Sequence, residues 1–403
     1  MTTEAGGVTQ PFDVETRVPM SNSSHRLGCI AAACLSLSLS LSAQAAEPLV
    51  VKIGHVAALS GPAAHLGRDN ENGARMAIDE LNAKGVKIDG RVVRLQLLAE
   101  DDAGDPKQGT AAAQKLVDHK VNGVVGHLNS GTAIPAARLY ADAGIPQIAP
   151  SVTNPRYTRQ GFKTTFRMVA DDAQLGGTLG RYAVQTLKAR SIAVIDDRTA
   201  YGQGVATEFE QAAKAAGATI VRREFTHDKA TDFTGILTGI KAAKPDVIFY
   251  GGMDAVAGPM LRQMRQLGIQ AKFMGGDGVC TGELPKLASG QLPDGQVVCA
   301  IAGGVDAAQR PVLDQFKADF KKKFGADVQI YSPYTYDATQ VMVAAMVKAG
   351  SADPAKYLPV LQKISHPGVT GTIAFDDKGD IRNGALTLYT FKGGLRQELG
   401  VVR

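Results

Sequence analysis

From Leu49 onward, apolar runs of strand length alternate with longer stretches whose apolar positions recur at helical spacing. VVKIGHVA precedes GARMAIDELNAKG, where Ala74, Ala77, Ile78 and Leu81 share one face. VRLQLLAEDD precedes PKQGTAAAQKLVDHK, with Pro106 suited to a helix start. VNGVVGH leads to a helix near Ala133 to Ala143, and PQIAP closes the series. A second series follows FKTTFRM, in which SIAVIDD, ATIVRREF, DVIFYGG and AKFMGG alternate with helices beginning near Gly202, Asp232, Ala255 and Glu283. After QVVCA come helices near Pro311 to Phe324 and Tyr336 to Ala349, then the strands TGTIAFDD and ALTLYTF. The rhythm predicts two α/β units, each a parallel sheet with helices on both faces, and a tail that completes them.

The N-terminus departs from this pattern. Met20 opens SNSSHR followed by LGCIAAACLSLSLSLSAQA. His25 and Arg26 supply a charged start, an apolar segment follows, and Ala43 and Ala45 occupy the small positions of a cleavage site. This reads as a secretory signal cut near Ala45, with a possible start of translation at Met20. A membrane anchor is disfavoured, since Ser36, Ser38, Ser40 and Ser42 dilute the segment below the ~20 apolar residues that span a bilayer. Ala31 to Ala33 lack the large apolar residue expected before a lipid-bearing Cys34. The exported part retains Cys280 and Cys299, for which export favours a disulfide over two buried thiols.

A length of 403 residues exceeds what one core usually holds, which agrees with two lobes. The composition, 44% hydrophobic and 21% charged, is that of a soluble globular protein. A net charge of +5 without a basic block gives no surface for nucleic acid.

Open parallel sheets bind ligands where strand ends meet helix N-termini. The polar residues there are Ser60 and Gly61, then Asn129, Ser130 and Thr132, then Ser151, Thr153 and Asn154. In the second unit they are Asp197, Thr199 and Tyr201, then Met253 and Asp254, then Asp277. Hydroxyls beside free N–H groups suit a carboxylate, and an acid such as Asp277 suits an ammonium group, so the set describes a zwitterion site. The plainer alternatives are helix N-caps for Ser130 and Thr153, and a turn acid for Asp277 between Gly276 and Gly278.

Enzyme signatures are missing. There is no G-x-S-x-G elbow, phosphate loop, H-E-x-x-H pair or complete G-x-G-x-x-G. The seven His have no metal-ligand spacing, and His127 is expected to be a satisfied interior residue. Asp101, Asp102 and Asp105 lack the spacing of a calcium loop and are expected to be solvated turn acids. No metal and no cofactor is expected.

IGHVAALSGPAAHLG, NGARMAIDELNAKG, EDDAGDPKQ, VVGHLNSG, IAPSVTNP, DDRTAYGQG, FYGGMD and FMGGDG resemble, in this order, motifs of the periplasmic leucine/isoleucine/valine-binding proteins, which are type I periplasmic binding proteins of ABC transporters. The resemblance spans residues 48 to 392. It implies two doubly wound lobes joined by a three-strand hinge, with crossings near Asp171, Ala300 and Thr387. Residues 46–170 plus 301–386 would form the first lobe and 171–300 plus 387–403 the second, after a leader and signal over 1–45. It also implies that Ser130, Ser151 and Thr153 hold a ligand carboxylate, that Asp277 holds the amino group, that Tyr201 closes over the ligand, and that Tyr331 lies at the cleft; Asn129 is a ligand-binding candidate from its strand-end position.

This sequence departs from the family at the side-chain pocket. Asp277 is one methylene shorter than the family's glutamate, and Leu66 and Met253 stand where the family has aromatics. The disulfide of familiar relatives joins positions matching Gly104 and Asn129, so Cys280 with Cys299 would be a different staple. The expectation is a monomeric, non-enzymatic periplasmic protein that captures a branched-chain amino acid and delivers it to ABC permease subunits. The alternatives are a ligand sensor, or a binding protein for an aromatic acid or amide.

Overall fold

The computed structural model describes residues 47–290 and 292–402. The predicted signal, the start at Met20 and the cleavage near Ala45 lie outside the described residues.

In the first lobe, β1 (Leu49–Ala57), α1 (Ala64–Ala83), β2 (Lys87–Ile88), β3 (Arg91–Asp101), α2 (Pro106–Asp118), β4 (Gly123–Gly126), α3 (Ser130–Asp142), β5 (Gln147–Ala149) and β6 (Thr165–Arg167) follow in order. They build a sheet of order β2-β3-β1-β4-β5-β6, parallel except at β2. The inner strands are nearly continuous apolar runs because helices cover both faces; β4 is buried throughout.

The second lobe takes α4 (Asp172–Gln185), β7 (Ser191–Asp196), α5 (Ala200–Ala215), β8 (Thr219–Phe225), α6 (Thr234–Ala243), β9 (Val247–Gly251), α7 (Asp254–Gln266), β10 (Lys272–Gly275), α8 (Leu284–Leu287) and β11 (Val297–Ile301). The chain then gives α9 (Arg310–Phe324), α10 (Ser332–Ala349) and α11 (Pro354–Leu361), a small antiparallel pair β12 (Ser365–Gly368) and β13 (Gly371–Ala374), and finally β14 (Leu386–Lys392) and β15 (Leu395–Val402). The second sheet runs β15-β14-β11-β10-β9-β7-β8, with β14 and β15 antiparallel. Helix α10 returns to the first lobe and packs on α1 and β4, so the chain passes between the sheets after β6, after β11 and before β14.

Besides the short strands β2 and β12, one strand and two helices are absent from the sequence reading. Helix α4 carries Gly176, Gly177 and Gly180, which weaken helix propensity. The structure explains two of them by close approach: a Cβ on Gly176 would lie 2.6 Å from the Val205 carbonyl, and one on Gly180 would lie 2.6 Å from that of Phe209, both on α5. Helix α11 starts at an Asp353 cap whose side chain accepts the Ala355 N–H, followed by Pro354. Strand β15 is an edge strand whose polar Arg396, Gln397 and Glu398 break any regular alternation, and it is joined to β14 through Gly393 and Gly394, which sit at φ 55° and 75°. That two-glycine turn is the hairpin signal the reading passed over.

Cys280 and Cys299 are bonded, with Cα atoms 5.4 Å apart and a sequence separation of 19. The bond ties the loop after β10 to the centre of β11. Reducing it, or replacing both residues by Ser, is expected to lower stability by about 3 kcal/mol through loop-closure entropy. Urea titration with and without reductant measures this, and an unchanged midpoint would show that other contacts hold the loop.

Candidate functional site

The strand ends converge where the two sheets face each other. From the first lobe come the turn after β4 and the start of α3, with Leu128, Asn129 and Ser130, and the segment after β5, with Ser151. Tyr201 in the first turn of α5 and Met253 before α7 approach from the second lobe, and Tyr331 caps α10 from the first. These seven residues line one small cavity that holds a water-sized body over about 10 Å³, close to the minimum for a single water. A larger hollow of about 260 Å³ lies behind the hinge, beside Arg310, Tyr334 and Arg396. Buried polar groups from several strand ends converge only on the smaller one, which makes it the better candidate.

Asp277 stands beside this cavity, 1% exposed. Tyr201 donates its hydroxyl to Asp277 Oδ1 at 2.7 Å, and Tyr331 donates to Oδ2 at 2.8 Å. The Gly278 N–H adds a shared bond, 3.1 Å to Asp277 Oδ1 and 3.0 Å to the Tyr201 oxygen. Burial pushes the Asp277 carboxyl above its ordinary range, and the three donors pull it part of the way back. Burial, then the charge of Asp277, drives both phenols well above 10. Because Tyr331 belongs to the first lobe and Asp277 to the second, this carboxylate also bridges the lobes.

The opposite wall is the start of α3. Asn129 is the N-cap residue, yet its side chain makes no capping bond and its Oδ1 is buried without a partner. Ser130 is the first helical residue rather than the cap, and its Oγ accepts the Asn154 N–H at 3.4 Å. The first N–H groups of a helix have no partner within it. Ser151 donates its hydroxyl to the Leu128 carbonyl at 2.8 Å, which ties the two loops together. Thr153 is fully buried, is no helix cap, and has an Oγ1 without a partner. The capping alternative for Ser130 and Thr153 therefore fails, while the turn-acid reading of Asp277 holds in part through Gly278.

Leu66 is fully buried in an apolar cluster with Leu128, Tyr331 and Val256. Met253 touches the same cluster from the cavity edge. Thr132 bonds back to the Asn129 carbonyl, and Asp197 holds Thr199 at the start of α5. Asp102 is not the solvated acid expected: it is fully buried, bonded to His127 Nδ1 at 3.2 Å and to the Gly104 N–H. His127 also meets the Tyr140 hydroxyl at 3.1 Å. These bonds brace the turn that carries Asn129 and Ser130.

Two contributors carry no site pattern in the sequence. Arg167, with no exposure, donates to the carbonyls of Thr153 and Asn154 at 2.9 Å each and to Asp380 Oδ1 at 2.7 Å. Asp172 is buried with both oxygens unpartnered, and burial drives its carboxyl well above the ordinary range. Its N–H binds the Thr153 carbonyl at 2.8 Å. Among the described residues, no group of three His, Cys, Asp or Glu is placed to hold a metal, and no helix is long and apolar enough to cross a membrane.

The family model described as "Periplasmic binding protein" matches residues 50–394. The chain belongs to this family. A Leu/Ile/Val-binding protein homolog 1 of Brucella abortus is 35% identical over 349 residues, covering 85% of this chain and 91% of the relative. The branched-chain amino acid transporter substrate binding protein of Streptococcus pneumoniae, solved in complex with isoleucine, superposes with a TM-score of 0.78 at 25% identity, covering 87% and 98% of the two chains. The fold alone extends to an R. palustris solute binding protein in complex with benzoate, with a TM-score of 0.75 at 21% identity over 87% and 96%. The family is one of solute-binding proteins of two-lobed α/β architecture.

Arg167 ties the loop that carries Thr153 and Asn154 to Asp380, which Arg159 and the Thr158 hydroxyl also hold. Arg167→Met, which leaves the Val152, Thr153 and Asn154 carbonyls without this donor while Asp380 keeps Arg159 and Thr158, is expected to cost about 1–3 kcal/mol. Urea denaturation measures it, and a loss below about 1 kcal/mol would mean that the loop holds itself.

Proposed function

We propose that this chain captures an amino acid between its lobes in the periplasm and delivers it to the permease of an ABC importer. The observation that carries the reading is the Asp277 carboxylate, held by Tyr201 and Tyr331 across a small buried space from the free end of α3. In this account the α-carboxylate sits on the Ser130 and Ser151 hydroxyls and the first N–H groups of α3, with Thr153 supplying a further hydroxyl. The α-ammonium pairs with Asp277, whose Oδ2 accepts only from Tyr331 and keeps a lone pair for it. Tyr201 is the lid from the second lobe, and Asn129, Leu66, Met253 and Tyr331 bound the side chain.

The lobes, 46–170 plus 301–386 and 171–300 plus 387–403, move about the three crossings and close on the ligand. The closed pair of lobes is the surface offered to the permease, and the chain acts as a monomer without covalent chemistry. Residues 1–45 act as the leader and secretory signal. Leucine, isoleucine and valine are the leading ligands, supported by the names of the relatives above and by an apolar side-chain wall. A second reading, an aromatic acid or amide, is favoured by Leu66 and Met253, where smaller or more flexible groups leave room for a ring.

Asp277→Ala is expected to abolish amino-acid binding while leaving the fold intact; calorimetry measures it, and wild-type affinity in that variant would remove Asp277 from the ammonium role. A thermal-shift panel of Leu, Ile, Val, Phe, benzoates and amides should show the largest upward shift with a branched-chain amino acid. A shift confined to benzoates or amides would contradict the leading ligand.

A further inference from the structure

His65 and Asp254 form a contact between the lobes that the captured solute need not touch. His65 is the second residue of α1 in the first lobe, and Asp254 is the first residue of α7 in the second. His65 Nε2 lies 2.9 Å from Asp254 Oδ2, with side-chain exposures of 24% and 0%. Asp254 is a junction within its own lobe. Thr281 donates its hydroxyl to the same Oδ2 at 2.5 Å, and the Asp254 N–H binds the Gly278 carbonyl at 2.8 Å. One residue therefore ties Met253, directly before it, to the loop that carries Asp277 and the Cys280–Cys299 bond.

We infer that His65 is a positioning residue for ligand capture: when the lobes meet, its protonated ring latches Asp254 and so fixes Met253 and the Asp277 loop around the solute. The groups that face the ring are Asp254 on α7, Glu283 before α8 and the Pro62 carbonyl on its own segment. Burial opposes the charged ring, but the hydrogen bond and charge of Asp254 outweigh it and hold the His65 pKa above its ordinary 6.5. In the open form the ring loses Asp254 and returns toward the ordinary value. The joined form therefore binds the proton more tightly. The latch is at full strength below the ordinary histidine pKa and is lost as pH rises through the raised value.

The inference rests on the amino-acid reading above, and one set of leucine titrations separates the two. Calorimetry on the wild type at about pH 6 and about pH 8 is expected to show tighter binding at the lower pH, with proton uptake visible as a buffer-dependent enthalpy. His65→Ala should weaken binding at about pH 6 by about fivefold, the worth of one ordinary hydrogen bond, and should flatten the difference between the two pH values. His65→Gln, which keeps a neutral donor, should recover affinity without recovering the pH dependence. Leucine binding with a pH-independent wild type, or a His65→Ala variant with the wild-type profile, overturns the latch and leaves the amino-acid reading standing. Absence of any leucine isotherm at about pH 6 overturns the reading and the latch with it.

Discussion

A carboxylate taken out of water costs several kcal/mol unless donors replace the solvent. Asp277 lies under that constraint, and much of the site follows from meeting it. Its donors come from three places: Tyr201 on α5, Gly278 in its own loop, and Tyr331 from the other lobe. The acid is thus best satisfied when the lobes are together. A ligand ammonium would add the missing positive charge at the same point, so that charge pairing and closure reinforce each other.

The surrounding scaffold makes those positions reproducible. The Asp277 loop is tied to β11 by the disulfide and to α7 through Asp254. On the facing side, Arg167 holds the Thr153 loop by its carbonyls, while Asp102 and His127 brace the turn before α3. Side chains that touch a ligand need such support, because a polar group misplaced by about an ångström loses much of its effect.

How far this was legible in the sequence depends on the range of the interaction. The sheets and most helices follow local periodicity, and Ser130, Ser151, Tyr201 and Asp277 follow from the rule that strand ends bear ligands. Helix α4 escaped because its glycines are explained only by α5, a neighbour in space. Asp102 looked like a surface acid because nothing local announces His127, 25 positions away. His65 and Asp254 are 189 positions apart, and neither belongs to a motif that names the other. Short-range patterns thus gave the frame and the first ring of candidates, whereas the buried ionic partners needed the fold.

The central claim is that an amino acid is held at both ends, with Asp277 on the ammonium group. The most direct measurement is calorimetric comparison of leucine with 4-methylpentanoate, which keeps the carboxylate and side chain but lacks the amino group. The account predicts saturable binding of leucine and a loss of about 10- to 100-fold for the analogue, the worth of a hydrogen bond to a charged group. Equal affinity for the two would contradict it.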